Sequence, residues 1–155
     1  MNALVEYRLN TATKSEIVVH LQTCDADFLP PLSGRIQIRD YAQKIAKKAT
    51  RFEAWSGGTL VGLVAAYCND RETCIAHITS VSVLKEWTGK GIASELVNQC
   101  VEHANTVNMR QIGLEVASDN MSAIKLYEKR GFVAGKADAP FVAMNLYLKG
   151  GEQHE

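Results

Sequence analysis

Apolar and polar side chains alternate through VEYRLN near the start of the chain, the two-residue period of a strand with one buried face. TKSEIVVHLQ then changes period, and its spacing predicts a short helix beginning near Thr13. CDADFLPPLSGR breaks both patterns. Its two prolines, glycine and acidic residues predict an irregular loop, yet Phe28, Leu29 and Leu32 give it an apolar character that solvated loops lack. Such a segment either covers a substrate or packs as a connector. From Ile36 to Ala49, the residues Ile38, Tyr41, Ala42, Ile45 and Ala49 recur at helical spacing and predict a second helix. RFEAWSGGTLVGLVAAY reads as two strands joined at Gly57-Gly58, an antiparallel hairpin.

Beyond the turn CNDRE, the stretch CIAHITSVSV from Cys74 to Val83 is rich in β-branched residues and reads as a central strand. Strict alternation would put His77, Thr79, Val81 and Val83 on one of its faces. A helix is predicted from Gly91 to Thr106, with Ile92, Ala93, Leu96, Val97, Cys100, Val101 and Ala104 inward and Ser94, Glu95, Asn98 and Glu102 outward. QIGLEVA is a further strand, and Asp119 or Asn120 caps a short helix, MSAIKLYEKR, that Gly131 ends. Phe132 to Lys136 and Phe141 to Leu148 close the chain as strands around an AGKADAP turn. Antiparallel runs early and strand-helix-strand units in the middle predict an α/β domain with a mixed sheet. Residues 1–150 form one domain in this reading, with a polar tail at 151–155.

Composition narrows the partners. Lys plus Arg and Asp plus Glu both number 17 in 155 residues, so no overall field favours nucleic acid, and no basic residues interleave with aromatics. The apolar runs are too short to cross a bilayer. Cys24, Cys68, Cys74 and Cys100 show neither CxxC spacing nor a companion histidine cluster, and the chain opens without a signal-peptide pattern. Reduced, cytoplasmic thiols are the expectation, with no metal, nucleic-acid or membrane partner.

The stretch WTGKGIASELV joins the central strand to the long helix and leaves several backbone N–H groups free at a helix start, a geometry that attracts anions. A Walker loop needs a GK[ST] ending after four intervening residues, and a dinucleotide fingerprint needs a third glycine; both fail here. Thr88-Gly89-Lys90-Gly91-Ile92-Ala93 instead resembles [QR]-x-x-G-x-[GA], the pyrophosphate loop of the GNAT superfamily of acetyl-CoA-dependent N-acetyltransferases. Gly91 and Ala93 match, and Thr88 departs. VSVLKEWTGKGIASELV is similar to that family's strand, loop and helix, and LEVASDNMSAIKLYEKRGF to its next unit, so the likeness runs from about Ala54 to Phe132.

The resemblance implies a single GNAT-like domain. Its mixed, mostly antiparallel sheet would have six to seven strands with splayed central parallel strands, flanked by about four helices. It implies direct acetyl transfer from acetyl-CoA to a primary amine, with a small molecule as the default acceptor and a monomer or homodimer as the assembly. The cofactor would lie on Thr88, Gly89, Lys90, Gly91, Ile92, Ala93 and Ser94, on the main chain of Val81 and Val83, and on Asn120 and Ala123. Tyr127 would protonate the departing thiolate, its ordinary pKa of about 10 keeping it a donor at neutral pH. His77 is the first candidate for the base and Glu115 the second, while the Val83 N–H would polarise the thioester carbonyl. No cysteine has a readable His and acidic partner, so no acyl-enzyme is expected. Asp25, Asp27 and Asp40 either attract a cationic amine or cap their local backbone. The alternative is a binding module that keeps the acetyl-CoA pocket without transfer.

Overall fold

The Thr13 hydroxyl accepts the Glu16 N–H at 3.2 Å while the Glu16 carboxylate accepts the Thr13 N–H at 2.9 Å. This reciprocal cap starts α1 (Lys14–Cys24) where the change of period predicts it. A computed structural model describes residues 4–148; the tail expected at 151–155 lies outside the described residues. Ahead of α1 runs β1 (Glu6–Leu9), and after it come two one-turn 3-10 segments, Asp25–Asp27 and Leu32–Gly34. Then follow α2 (Ile38–Lys48), β2 (Thr50–Ser56), β3 (Thr59–Tyr67) and β4 (Ile75–Val83). A 3-10 turn at Lys85–Trp87 leads into α3 (Ile92–Thr106), β5 (Gln111–Ala117), α4 (Met121–Lys129), β6 (Val133–Asp138) and β7 (Phe141–Tyr147).

The seven strands lie in the order β1-β2-β3-β4-β5-β7-β6, and every neighbouring pair is antiparallel except β4 with β5. One face packs Leu96, Val97 and Cys100 of α3 and Tyr127 of α4 on Phe52, Ala54, Val61 and Val64. The other packs Ile17 and Leu21 of α1 and Ala42 and Ile45 of α2 on Trp55, Leu60, Leu63 and Ala65. Gly62 lets α3 approach the sheet: a Cβ there would meet Ile92 Cγ2 at 2.8 Å.

Two sequence expectations change. The strand read over Phe132 to Lys136 runs over Val133–Asp138, further into the AGKADAP stretch read as a turn. All six of its residues are exposed and a register shift separates Ala134 from Ala137, so this edge strand carries no buried periodicity to read. The second change concerns β4. His77 opposes Tyr67, Ile78 opposes Ala66 and Ser80 opposes Ala65, which leaves Thr79 as an extra residue in a β-bulge. The bulge breaks the alternation. Val81 and Val83 pack towards the α3/α4 core, as Ile78 does, whereas His77 shares the face of Tyr67 beside α1 and α2. His77 and the two valines therefore do not share a face.

The start of α1 hangs on one buried carboxylate. Glu53 of β2 is fully buried and accepts the N–H groups of Thr11 and Ala12 at 2.9 Å, the Thr11 hydroxyl, and Trp55 Nε1–H at 3.0 Å. Arg51 Nε lies 3.7 Å from it, and the Arg51 guanidinium also donates to the carbonyls of Ala12, Ala46 and Ala49. Removing one partner from such a buried, hydrogen-bonded pair leaves the other uncompensated. Glu53→Ala is expected to cost about 3–5 kcal/mol in urea unfolding, with Glu53→Gln recovering part of the loss; an unchanged midpoint for Glu53→Ala would remove the carboxylate from this role.

Candidate active site

β4 pairs with β5 only through Ile75–Gln111, Ala76–Ile112 and His77–Gly113, while β3 holds β4 as far as Val83 and β7 holds β5 as far as Ala117. The two central strands diverge after His77, and a cleft of about 530 Å³ opens between them. The Leu84 N–H donates to the Val61 carbonyl at 2.8 Å. Backbone groups alternate sides along a strand, so Ser82 also turns towards β3, and the N–H and C=O groups of Val81 and Val83 point into the gap.

At the end of β4 the chain makes its 3-10 turn, and Thr88 closes it by donating its hydroxyl to the Lys85 carbonyl at 2.7 Å. Gly89 and Gly91 follow at φ of 78° and 80°, a left-handed backbone that favours glycine, and the space where a Cβ would project from either is open. The first backbone bond of α3 runs from Glu95 N–H to Gly91 C=O. Among the described residues the N–H groups from Gly89 to Ser94 have no protein acceptor. Thr88 and Ala93 line the cleft. Ile92 sends its side chain into the core, so only its main chain is available, and Lys90 and Ser94 are exposed beside the loop.

Asn120 caps α4 by accepting the Ala123 N–H at 3.3 Å, and Asn120, Ala123 and Tyr127 line the wall opposite β4. Tyr127 is buried, its ring centroid 5.8 Å from that of Phe132. Burial pushes its phenol up to about 12, which keeps it protonated, and among the described residues its hydroxyl bonds to no protein group.

His77 and Glu115 both line the cleft. His77 opposes Gly113, two residues before Glu115, so the two candidate bases lie on one face of the sheet. Partial loss of water holds the His77 pKa below the ordinary imidazole value, with the Glu115 carboxylate opposing that shift. The ring is neutral at pH 7 and able to take a proton.

The far end of the cleft is covered by the loop that carries Phe28, Leu29 and Leu32, all of which line it. Arg35 places its guanidinium 5.5 Å from the Phe141 ring, joining this loop to β7 across the opening. The three aspartates separate here. Asp25 accepts the Ser33 N–H at 2.7 Å and staples the loop, and Asp40 sits in the first turn of α2, while Asp27 lines the cleft. Several cleft residues were not singled out by sequence. Tyr41 reads as an ordinary inward helix position, yet its hydroxyl donates to the Thr79 carbonyl at 2.6 Å, across 38 residues of chain. His20 donates through Nδ1 to the Leu60 carbonyl, which leaves Nε2 to accept the hydroxyl of Ser82, another cleft residue. Neither contact has a local sequence signal, because each depends on how a helix lies on β4.

A model of the acetyltransferase (GNAT) family matches residues 16–132. The N-alpha-acetyltransferase MAK3 of Arabidopsis thaliana is 33% identical over 86 residues, covering 55% of this chain and 45% of that protein. The spermidine N(1)-acetyltransferase of Vibrio cholerae is 39% identical over 54 residues, covering 34% of this chain and 31% of that protein. The matches thus span less than half the length of either relative. The structure of yncA from Salmonella typhimurium with its cofactor acetyl-CoA shares the fold, at a TM-score of 0.75 and 16% identity over 96% of this chain and 95% of that one. By the match that takes in α1 to α4, and with it the diverging strands and the glycine loop between them, the chain belongs to the acetyltransferase (GNAT) family.

Proposed function

We propose that the protein binds acetyl-CoA in the cleft between β4 and β5 and transfers the acetyl group directly to a primary amine of a small-molecule acceptor. The observation that carries this reading is the run of unpaired N–H groups from Gly89 to Ser94, at the start of a 15-residue helix and beside a gap walled by free β4 backbone. A diphosphate fits such a run, and the open space over both glycines lets it approach the main chain. An amide-bearing arm fits the backbone of Val81 and Val83 as an added strand would.

Bound acetyl-CoA supplies an activated thioester, and this chain's residues orient it and move the protons. His77, neutral at pH 7, takes a proton from the acceptor ammonium and frees the nitrogen lone pair, with Glu115 beside it to stabilise the imidazolium. The Val83 N–H polarises the carbonyl. As the C–N bond forms and the C–S bond breaks, Tyr127 Oη donates to the departing sulfur and regains its proton from solvent. Nitrogen gives up two protons in all: His77 passes the first to solvent before attack, and the second, lost to solvent as the tetrahedral intermediate collapses to the amide, balances the one that Tyr127 delivers to sulfur.

Relatives named for different acceptors, an N-alpha-acetyltransferase and a spermidine acetyltransferase, leave both acceptor classes within the family's reach. The covering loop and the Arg35–Phe141 contact narrow the acceptor end and favour a small molecule. Four free thiols suit a reducing, cytoplasmic setting, and a monomer or homodimer suffices for a cleft built within one chain.

Four measurements test the reading. Gly91→Val puts a branched side chain on a left-handed backbone and into the diphosphate's space, so calorimetry on the folded variant should show acetyl-CoA affinity weakened roughly a hundredfold; wild-type affinity would remove the loop from cofactor binding. CoA release should be screened against polyamines, amino acids and short peptides with free α-amines. Turnover with the small amines supports the proposal, peptides alone would move the acceptor to a protein N-terminus, and tight cofactor binding with no turnover would leave a binding module. With a productive acceptor, Tyr127→Phe should lower kcat by roughly a hundredfold at unchanged acetyl-CoA affinity. Because the His77 pKa is lowered, kcat/KM should fall only below about pH 6.5, as the ring takes up a proton, and His77→Gln should abolish that acid limb. An acid limb that survives in His77→Gln would assign the proton to another group.

A further inference from the structure

Among the described residues, three fixed charges line the cleft: Asp27, Glu115 and Arg35. Glu115 and His77 share the face of the sheet turned to α1 and α2, and Arg35 stands further along that face. Gly113, Glu115 and Ala117 alternate onto it, Ala117 opposes Phe141, and the Arg35 guanidinium lies over the Phe141 ring at 5.5 Å. Burial raises the pKa of the Tyr41 phenol and the Arg35 charge opposes that rise, so the guanidinium is also close to α2. From Gly113 to Ala117 a strand rises about 13 Å, a span that one small molecule and the side chains at its two ends can fill. Arg35 is the only Lys or Arg that lines the cleft among the described residues. Their salt bridges are Arg8–Glu6 and Arg51–Glu53, and their guanidinium hydrogen bonds come from Arg8 and Arg51. Arg35 thus has no carboxylate partner there, and contact with a ring face uses none of its five N–H donors.

We infer that Arg35 binds the carboxylate of the acceptor, which makes the acceptor a free amino acid. The inference rests on the transfer reading above and deepens it by naming the acceptor class. An amino acid carries an ammonium and a carboxylate on one small frame. This face of the cleft offers His77 and Glu115 to the first and a guanidinium to the second. The planar fork of arginine matches a carboxylate with two parallel N–H···O bonds, and the Phe141 ring beneath it restricts the side chain before anything binds. Other amines fit less well. A polyamine brings a second ammonium towards a guanidinium, and a protein N-terminus puts a neutral peptide bond where a free amino acid has its carboxylate. Asp27 does not neutralise Arg35, since the two form no salt bridge. It is the anchor a second cation would take, and polyamines put that to the test.

The test uses the full chain, acetyl-CoA, the α- or ω-amino acid that is turned over fastest, and the carboxamide of that amino acid. Arg35→Met keeps much of the side chain's length without its charge. It should lower kcat/KM for the amino acid by roughly tenfold to a hundredfold more than for the carboxamide. Each substrate is compared with itself across the two proteins, so the different basicity of the two amines cancels. Arg35→Lys, which keeps the charge without the fork, should lose less in the same order, and it measures the same difference if Arg35→Met does not fold. Equal losses for both substrates would make Arg35 a latch that only ties the loop to Phe141, and that result overturns the inference. A fall in acetyl-CoA affinity by calorimetry would assign the guanidinium to the cofactor and overturn it as well. A wild type that turns over polyamines and no amino acid rejects the role of Arg35 while the transfer reading stands. A wild type that acetylates no amine rejects the transfer reading and this inference with it.

Discussion

β4 is held on one side and released on the other. β3 pairs with it as far as Val83, α2 grips it through Tyr41 at Thr79, and α1 grips it through His20 at Ser82. β5 is held by β7 along its whole length. Each central strand has firm partners of its own, and they share only three register pairs before parting. Backbone groups that lose a ladder partner must be satisfied elsewhere, and in this fold they are left facing a cleft. The Val81 and Val83 main chain, the glycine loop and the Tyr127 wall all face the space that this divergence creates.

The same strand carries a second departure from regularity, the extra residue at Thr79. It lets one strand serve two sides of the cleft: Val81 and Val83 belong to the α3/α4 side, His77 and Ser80 to the α1/α2 side. On the transfer reading proposed above, this would separate cofactor and acceptor chemistry by face as well as by position along the strand.

The α1/α2 side depends on polar anchoring that is remote from the cleft. Glu53 and Arg51 of β2 gather the chain ahead of α1 and the end of α2 onto one buried charge pair. Those helices bring His20, Tyr41 and the loop from Asp25 to Arg35 onto β4. A buried pair of this kind is seldom a large net source of stability, but it constrains where its donors can lie.

By itself the amino-acid sequence determined what depends on local period and local chemistry. The α1 cap at Thr13, the amphipathic α2 and α3, the Asn120 cap of α4 and the paired early strands all follow from residue spacing. The glycine loop was legible for the same reason, since its left-handed turns and helix start are local features. Strict alternation along β4 was also read, and it placed His77 beside Val81 and Val83. That reading failed because nothing within CIAHITSVSV marks Thr79 as the extra residue; a bulge is defined only by the strand opposite. The end of strand β6 was placed two residues early, at Lys136, because a fully exposed edge has no buried period. Tertiary structure alone decided which aspartate lines the cleft, that Tyr41 reaches Thr79, and that Ser80 is buried on the face of Ala65. Each of these is a relation between residues far apart in the chain, set by how two helices settle on a strand that its parallel neighbour has let go.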